Sequence, residues 1–371
     1  MYRRGRAVTG HFSSGRAAVT IVTIALLAGC ALSGTNATPP RGILSISRPI
    51  YHVRTEPAKV ALWASNNFDN YLFGVDATLN KTVVVIDTMG YSCYGPATVK
   101  VDHKRNVWIA CNAIHPTSFA QYGGEQEYGS DGEFKRSYRY DASAQCSHLP
   151  YCYAESLDGG PDKFGHVFAE LSYGNFSQGS RMLLNPGFYW WNKDDRSAPA
   201  TFIPVSLYCA PFCDVDYMDT DDDGNIWFDF HGPILGNEQY SGGLGEVTHP
   251  TTKPSVKVIL PPGSFRAPGG VYVSGHGTVL NVTDQLTRET YQYRLPVTPS
   301  STPFNTLGPT RAKKKGESDP ISGGFNKDES ELALGDFRGA IDVGHVGTNS
   351  WTMRRNAYCG CASAAFTPSD K

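Results

Sequence analysis

Asn106-Val107-Trp108-Ile109-Ala110 and Asp223-Gly224-Asn225-Ile226-Trp227-Phe228 are the stretches on which the fold reading turns. Each follows a short strand and a polar turn. Pro96-Ala97-Thr98-Val99-Lys100-Val101-Asp102 leads into the first, and Val215-Asp216-Tyr217-Met218-Asp219 into the second. Looser versions are Tyr71–Asp76 with Thr82–Asp87, Gly269–Ser274 with Gly277–Val282, and Ser330–Gly335 with Gly339–Val343. In each, β-branched and aromatic residues flank Gly, Asn or Asp, the residues that permit the positive φ of a hairpin turn. The passages recur at intervals of roughly 40–55 residues, the spacing of propeller blades. No segment carries a sustained apolar period of 3.6, so few helices are expected. The expectation is an all-β propeller of six blades, each a four-stranded antiparallel sheet, around a central channel; seven blades or a pair of β-sandwiches are the alternatives. A strand at Ile43–Ile50 is expected to complete the last blade beside Ala340–Val346, removing exposed sheet edges.

Composition fits that architecture. The 371 residues include 39 Gly and 24 Pro, and only 18% are charged, which suits many turns between short strands. With 33 Lys and Arg against 35 Asp and Glu, the net charge is −2, so there is no electrostatic grip on nucleic acid.

The N-terminus indicates where the chain works. Arg3, Arg4, Arg6 and Arg16 form a basic head, Ala17–Leu27 an uncharged apolar run, and Leu27-Ala28-Gly29-Cys30 its end. The run is shorter than the roughly 20 apolar residues a spanning helix needs, which favours a removable export signal. Leu-Ala-Gly-Cys resembles the bacterial lipobox, which implies acylation of the Cys30 thiol as the first mature residue. A conventional signal cut after Ala-x-Ala, or an uncleaved anchor, is the rival reading. Two or more acyl chains on Cys30 anchor a protein stably, whereas one does so only marginally. The expected organisation is a signal peptide over 1–29, a tether over 30–42, a propeller over 43–355 and a C-terminal tail over 356–371. The expected location is the cell envelope, lipid-anchored on the extracytoplasmic side of a membrane.

Eight further cysteines, an even number in an exported chain, favour disulfides. Cys146–Cys152 and Cys209–Cys213 close short loops, and Cys93–Cys111 clips neighbouring strands. Cys359-Gly360-Cys361 is too tight a ring for an easy bond, so each of these two also has a partner elsewhere as an option. A zinc site is the alternative, but the spacing is unlike C-x₂-C knuckles.

The motif of four residues ending in Asp, a turn, then Gly-Asn-(Ile/Val)-Trp-(Phe/Ile) resembles the blades of NHL-type and virginiamycin B lyase-like propellers. It is carried in detail by the two opening stretches. The resemblance implies a His/Glu acid–base pair at the central mouth, for which His231 or His276 with Glu246 or Glu289 are the candidates. The plain alternative is that His276, between Gly275 and Gly277, is a turn residue.

Asp219, Asp221, Asp223 and Gly224 occupy positions one, three, five and six of an EF-hand-like loop, with Asn225 next; alternate carboxylates there suit Ca²⁺. Position twelve is Phe230 rather than Glu, so any affinity would be weak. The alternative is a solvated blade turn, where Asp and Gly are favoured for conformational reasons. No H-E-x-x-H or Gly-x-Ser-x-Gly motif occurs, and Gly242-Gly243-Leu244-Gly245 opens a strand rather than a phosphate cradle. Lys313-Lys314-Lys315 reads as a rim loop, a weak patch for anionic lipid. Aromatics crowd the middle third: Phe188-Tyr189-Trp190-Trp191, Tyr122, Tyr128, Tyr138, Tyr140, Tyr151 and Tyr153. Most are expected in blade cores, the rest suiting sugar or peptide stacking. The resulting expectation is a binding module for a protein, peptide or saccharide, with a lyase or hydrolase at the channel mouth as the alternative.

Overall fold

The computed structural model describes residues 60–67, 69–78, 81–114, 122–143, 152–175, 182–183, 186–195, 199–205, 215–235, 239–310, 320–336, 340–356 and 361–367. Strands β1 (Leu62–Asn66), β2 (Tyr71–Val75) and β3 (Thr82–Asp87) form an antiparallel meander. A single 3₁₀ turn, Thr88–Tyr91, leads into the second unit: β4 (Cys93–Val101), β5 (Val107–Ile114), β6 (Tyr122–Tyr128) and β7 (Phe134–Asp141). The third comprises β8 (Cys152–Glu155), β9 (Gly159–Pro161), β10 (His166–Asn175), β11 (Met182–Leu183), β12 (Gly187–Asn192) and β13 (Thr201–Pro204). Its four-stranded body is β9-β10-β12-β13, while β8 and β11 pair with the far end of the long β10. The fourth unit is β14 (Met218–Thr220), β15 (Ile226–Leu235), β16 (Gln239–Thr248) and β17 (Ser255–Phe265). The fifth is β18 (Pro268–Val273), β19 (Val279–Asp284), β20 (Glu289–Arg294) and β21 (Asn305–Leu307). The sixth is β22 (Pro320–Phe325), β23 (Glu331–Asp336), β24 (Ala340–His345) and β25 (Trp351–Asn356). The final strand, β26 (Cys361–Phe366), pairs antiparallel with β1. The all-β propeller expectation is met: four-stranded antiparallel sheets follow one another along the chain.

Apolar side chains fill each junction between successive units. Trp63, Val84 and Ile86 meet Val99, Ile109 and Tyr128. Trp108, Tyr138 and Tyr140 meet Val167, Tyr189 and Trp191. Corresponding clusters join the third unit to the fourth, the fourth to the fifth and the fifth to the sixth. One more, with Leu62, Ala64 and Phe73 against Ala333, Ile341 and Ala364, joins the sixth to the first and closes the ring. Most of the middle-third aromatics are therefore core: Phe188, Tyr189, Trp191, Tyr128, Tyr138 and Tyr140 are all buried. Tyr122 is half-buried under Arg139, whose guanidinium lies 4.2 Å from the ring centroid.

Ring closure differs from the expectation. Ile43–Ile50 lies outside the described residues, and β24 (Ala340–His345) is flanked by β23 and β25. The first unit instead takes its inner strand from Cys361–Phe366, so part of the expected 356–371 tail belongs to the propeller. Cys361-Ala362-Ser363-Ala364-Ala365-Phe366 lacks the β-branched run that marks a strand.

The recurring motif proves to be a turn brace. Asp102 Oδ1 accepts from the backbone N–H of Lys104 (2.9 Å) and Asn106 (2.8 Å). Its Oδ2 accepts from Asn106 Nδ2 (3.0 Å) and Trp108 Nε1 (3.2 Å). Asp221 repeats the pattern with Asp223, Asn225 and Trp227, at 2.9, 2.9, 3.1 and 2.9 Å. A third copy has Asp162 accepting from the N–H groups of Phe164 and His166, with His166 Nδ1 at 2.7 Å from its other oxygen. Ser274 and Asn326 keep reduced versions. In all five turns the fourth residue has positive φ: Arg105, Gly165, Gly224, Gly277 and Glu329. The brace lets a buried Trp satisfy its indole N–H without water. Asp221→Ala removes four charge-assisted acceptor contacts and orphans the Trp227 N–H. An expected loss of about 2–3 kcal/mol follows, measurable by urea unfolding against wild type.

Candidate functional site

The innermost strands β4, β9, β14, β18, β22 and β26 surround the hub, and polar groups staple each to the next. Ser65 Oγ donates to the Ala97 carbonyl and Ser363 Oγ to Val99 O (3.5 Å), tying the first unit to the second. Thr98 Oγ1 donates to Asp158 Oδ1 (2.7 Å), and Met218 N–H donates to Asp158 Oδ2 (3.0 Å). Asp219 Oδ2 accepts from Val273 N–H (2.8 Å), and Asp229 Oδ2 accepts from Gly270 N–H (3.2 Å). Tyr272 OH donates to Ile321 O (3.1 Å), and a single parallel bridge, Ser322 to Ser363, completes the circuit.

Lys100 is the cation at this hub. Alternation along β4 turns Thr98 and Lys100 to the side opposite Val99. The Lys100 ammonium donates to Met218 O (2.6 Å) and Asp219 Oδ1 (3.1 Å) and stands 3.2 Å from Asp158 Oδ1. To reach β14 it passes over the glycine pair of β9. A Cβ on Gly160 would stand 3.1 Å from Lys100 Cδ, so the stem needs the bare backbone there. Burial alone would push the ammonium down, but Asp158 and Asp219 outweigh it and hold Lys100 above the ordinary lysine value. Fully buried Asp158 is shifted upward by desolvation, which the attraction of Lys100 reduces without cancelling. Asp229 lies well above its ordinary value through burial and the repulsion of Asp216.

Glu125, on β6, faces the same region. It has no exposed surface, and neither carboxyl oxygen has a hydrogen-bond partner. Its Oε1 lies against Gly159, where any Cβ would collide with it. Burial and the Asp158 charge push its pKa well above the ordinary glutamate value, despite the attraction of Lys100. A carboxyl raised in this way keeps its stabilising share at low pH and loses it as pH climbs from the unfolded value toward the folded one. The wild-type chain should lose up to about 1.4 kcal/mol per pH unit across that window. Glu125→Gln, which cannot ionise, is expected to flatten the dependence of melting temperature on pH and to exceed wild type at pH 8. A variant curve parallel to wild type from pH 5 to 8 would contradict this.

The sequence-derived candidates are not brought together. Asp221 spends both oxygens on its turn, Asp223 is exposed, and Asp219 is a hub residue on the inner strand. Asn225 donates to Asp221 rather than offering its oxygen. Among the described residues no group of three His, Cys, Asp or Glu side chains is placed to hold a metal. His276 is exposed in the β18–β19 turn, its N–H donating to Glu329 Oε1 (2.5 Å). Glu289 opens β20 opposite Asp284, at the other end of β19, about 17 Å along a six-residue strand. Glu246 is on β16 of the preceding unit, paired with Trp227 and Lys257. His231 pairs through its backbone with Gly242 on β15–β16. Among the cysteines, Cys93 and Cys111 form a disulfide between β4 and β5, with Cα atoms 5.3 Å apart. Cys30, Cys146, Cys209, Cys213 and Cys359 lie outside the described residues, as do the side chains of Cys152 and Cys361 and the lysines 313–315.

The residues that the sequence reading passed over are Lys100, Asp158 and Glu125. A lysine on the wrong face of an apolar strand, and an Asp directly before two glycines, are the signals that were available.

No family model matches the chain, and no curated protein matches it. Solved structures do. The periplasmic gluconolactonase of Pseudomonas aeruginosa aligns at 10% identity and TM-score 0.52, covering 80% of this chain and 83% of that one. The Swd1 β-propeller domain of Myceliophteria thermophila aligns at 10% identity and TM-score 0.47, over 84% and 90%. Regucalcin from Agrobacterium tumefaciens, a calcium-binding protein, aligns at 12% identity and TM-score 0.43, over 74% and 79%. The chain has a propeller fold. At these identities the likeness extends to architecture and stops short of activity.

Proposed function

We propose that the chain is an extracytoplasmic binding module, a propeller tethered to a membrane by acyl groups on Cys30, that takes a saccharide, peptide or protein. The observation that carries this reading is the placement of the acid–base candidates. His276 and Glu289 stand at opposite ends of β19, and Glu246 sits on a different unit. The hub supports it as well, because Lys100, Asp158 and Asp219 are engaged with one another across three units. Such a hub fixes the inner strands as a rigid frame, and loops on a rigid frame are where propeller-like scaffolds place recognition. The order of basic head, apolar run and Cys30 supports the tether.

Full-length protein, purified in detergent from its own membranes, is to be applied to glycan and peptide arrays and assayed for lactone and ester hydrolysis. Saturable retention of an array member without turnover is the expected result. Turnover abolished by His276→Ala or Glu289→Gln would replace the binding reading with a hydrolase. Labelled palmitate should enter the wild-type chain and be absent from Cys30→Ala; equal labelling of the two removes the anchor.

A further inference from the structure

We propose that the Lys100 ammonium is the resident cation of an oxygen-lined site at the hub, and that a chain deprived of it binds calcium there. Three oxygens contact the ammonium: the Met218 carbonyl at 2.6 Å, Asp219 Oδ1 at 3.1 Å and Asp158 Oδ1 at 3.2 Å. One carbonyl and one carboxylate of β14, with the Asp158 carboxylate just before β9, form a hard, anionic donor set of the kind calcium takes. A third carboxyl, Glu125, is fully buried beside Gly159 with both oxygens unpartnered, so the site holds more acid than its single cation balances. Desolvated carboxylates require a countercharge, and here a side chain supplies what a metal otherwise would. The glycine pair Gly159-Gly160 gives that side chain its path, and the Lys100 stem fills the space above Gly160. Trimming the lysine therefore opens a volume directly bordered by the three oxygens. An ordinary ion pair makes the opposite forecast: without the ammonium the acids protonate and no metal is retained.

This inference is independent of the ligand-binding reading, and its readout involves no ligand of the propeller. Full-length wild type and Lys100→Ala are to be melted in EDTA and in a calcium series at pH 7.5, with terbium luminescence as a second probe. Wild type is expected to be indifferent to both ions. Lys100→Ala should melt lower in EDTA, regain at least half of the lost melting temperature saturably with calcium, and lose that response when Asp219→Asn is added. Calcium indifference in a folded Lys100→Ala chain overturns the proposal. A saturable wild-type terbium signal abolished by Asp219→Asn also overturns it, since the ammonium would then not fill the site. Should Lys100→Ala fail to fold in EDTA, folding restored by calcium supports the proposal. If calcium does not restore it, Lys100→Gln, which brings an amide oxygen and no charge, is tested in the same series. Its calcium response supports the proposal, and its indifference or failure to fold in both conditions overturns it.

Discussion

A chain ended after Asn356 is expected not to form a stable propeller. It lacks β26, the inner strand of the first unit, and with it the buried Ser363, Ala364 and Ala365. Two staples go as well: the Ser363 hydroxyl on Val99 O and the parallel bridge to Ser322. β1 would then present a bare edge toward the hub, the geometry that invites pairing with another chain. Breaking the ring also uncovers the cluster formed by Leu62, Ala64 and Ile341. The loss is expected to match or exceed the whole folding free energy of a domain, about 5–15 kcal/mol. A gentler probe is Gly335→Ala: a Cβ there would stand 2.5 Å from both N and Cα of Ser363, a backbone that cannot step aside. That variant should melt well below wild type and be cut faster by protease at low concentration. A truncated chain that melts cooperatively at the wild-type temperature would show that β26 is dispensable.

Lys100→Met should have the second largest effect. Methionine keeps the apolar stem over Gly160 but leaves Asp158, which has no exposed surface, without its cation. Removing one partner of a buried pair costs about 3–5 kcal/mol, because the remaining charge stays desolvated. Asp158 has three other donors, the Thr98 hydroxyl and the Gly159 and Met218 amides, so part of its charge remains satisfied and the lower end of that range is expected. For a chain of this size, the melting temperature should fall by roughly 6–12 °C. In Lys100→Met/Asp158→Asn, the second change should cost less than it does alone, since the orphaned charge is gone. Strict additivity of the two losses would mean that Lys100 and Asp158 do not interact in solution.

The sequence carried the sheets better than it carried their connections. Each hairpin passage forms an antiparallel pair, yet the pairs are not equivalent. Pro96–Ala110 spans an inner and a second strand, Ser330–Val343 a second and a third, and Tyr71–Asp87 a third and an outer one. The outer strand β7 alternates, but β18, β1 and β19 are buried along nearly their whole length, and such short apolar runs read alike whether a strand is inner, second or third. The sequence repeat sets Asp219 against Asp102, whereas the brace aligns Asp221 with Asp102 and with Asp162, where His166 and Phe168 fill the Asn and Trp places by a different chemistry. The calcium-like spacing is also that of a braced turn, since alternate acids in a Gly-containing turn serve amide groups as readily as a metal. Lys100 and Asp158 are 58 positions apart in sequence and were brought together by ring geometry alone.

The pairing of Leu62 with Phe366 has a consequence for how the molecule is made. About 300 residues separate the two partners, and contacts so distant in sequence are slow to form. The opening β-meander must wait for Cys361–Phe366 before its sheet is complete. Until Cys361–Phe366 docks, β1 lacks its inner neighbour, so closing the ring is a non-local step that cannot precede the strands it joins.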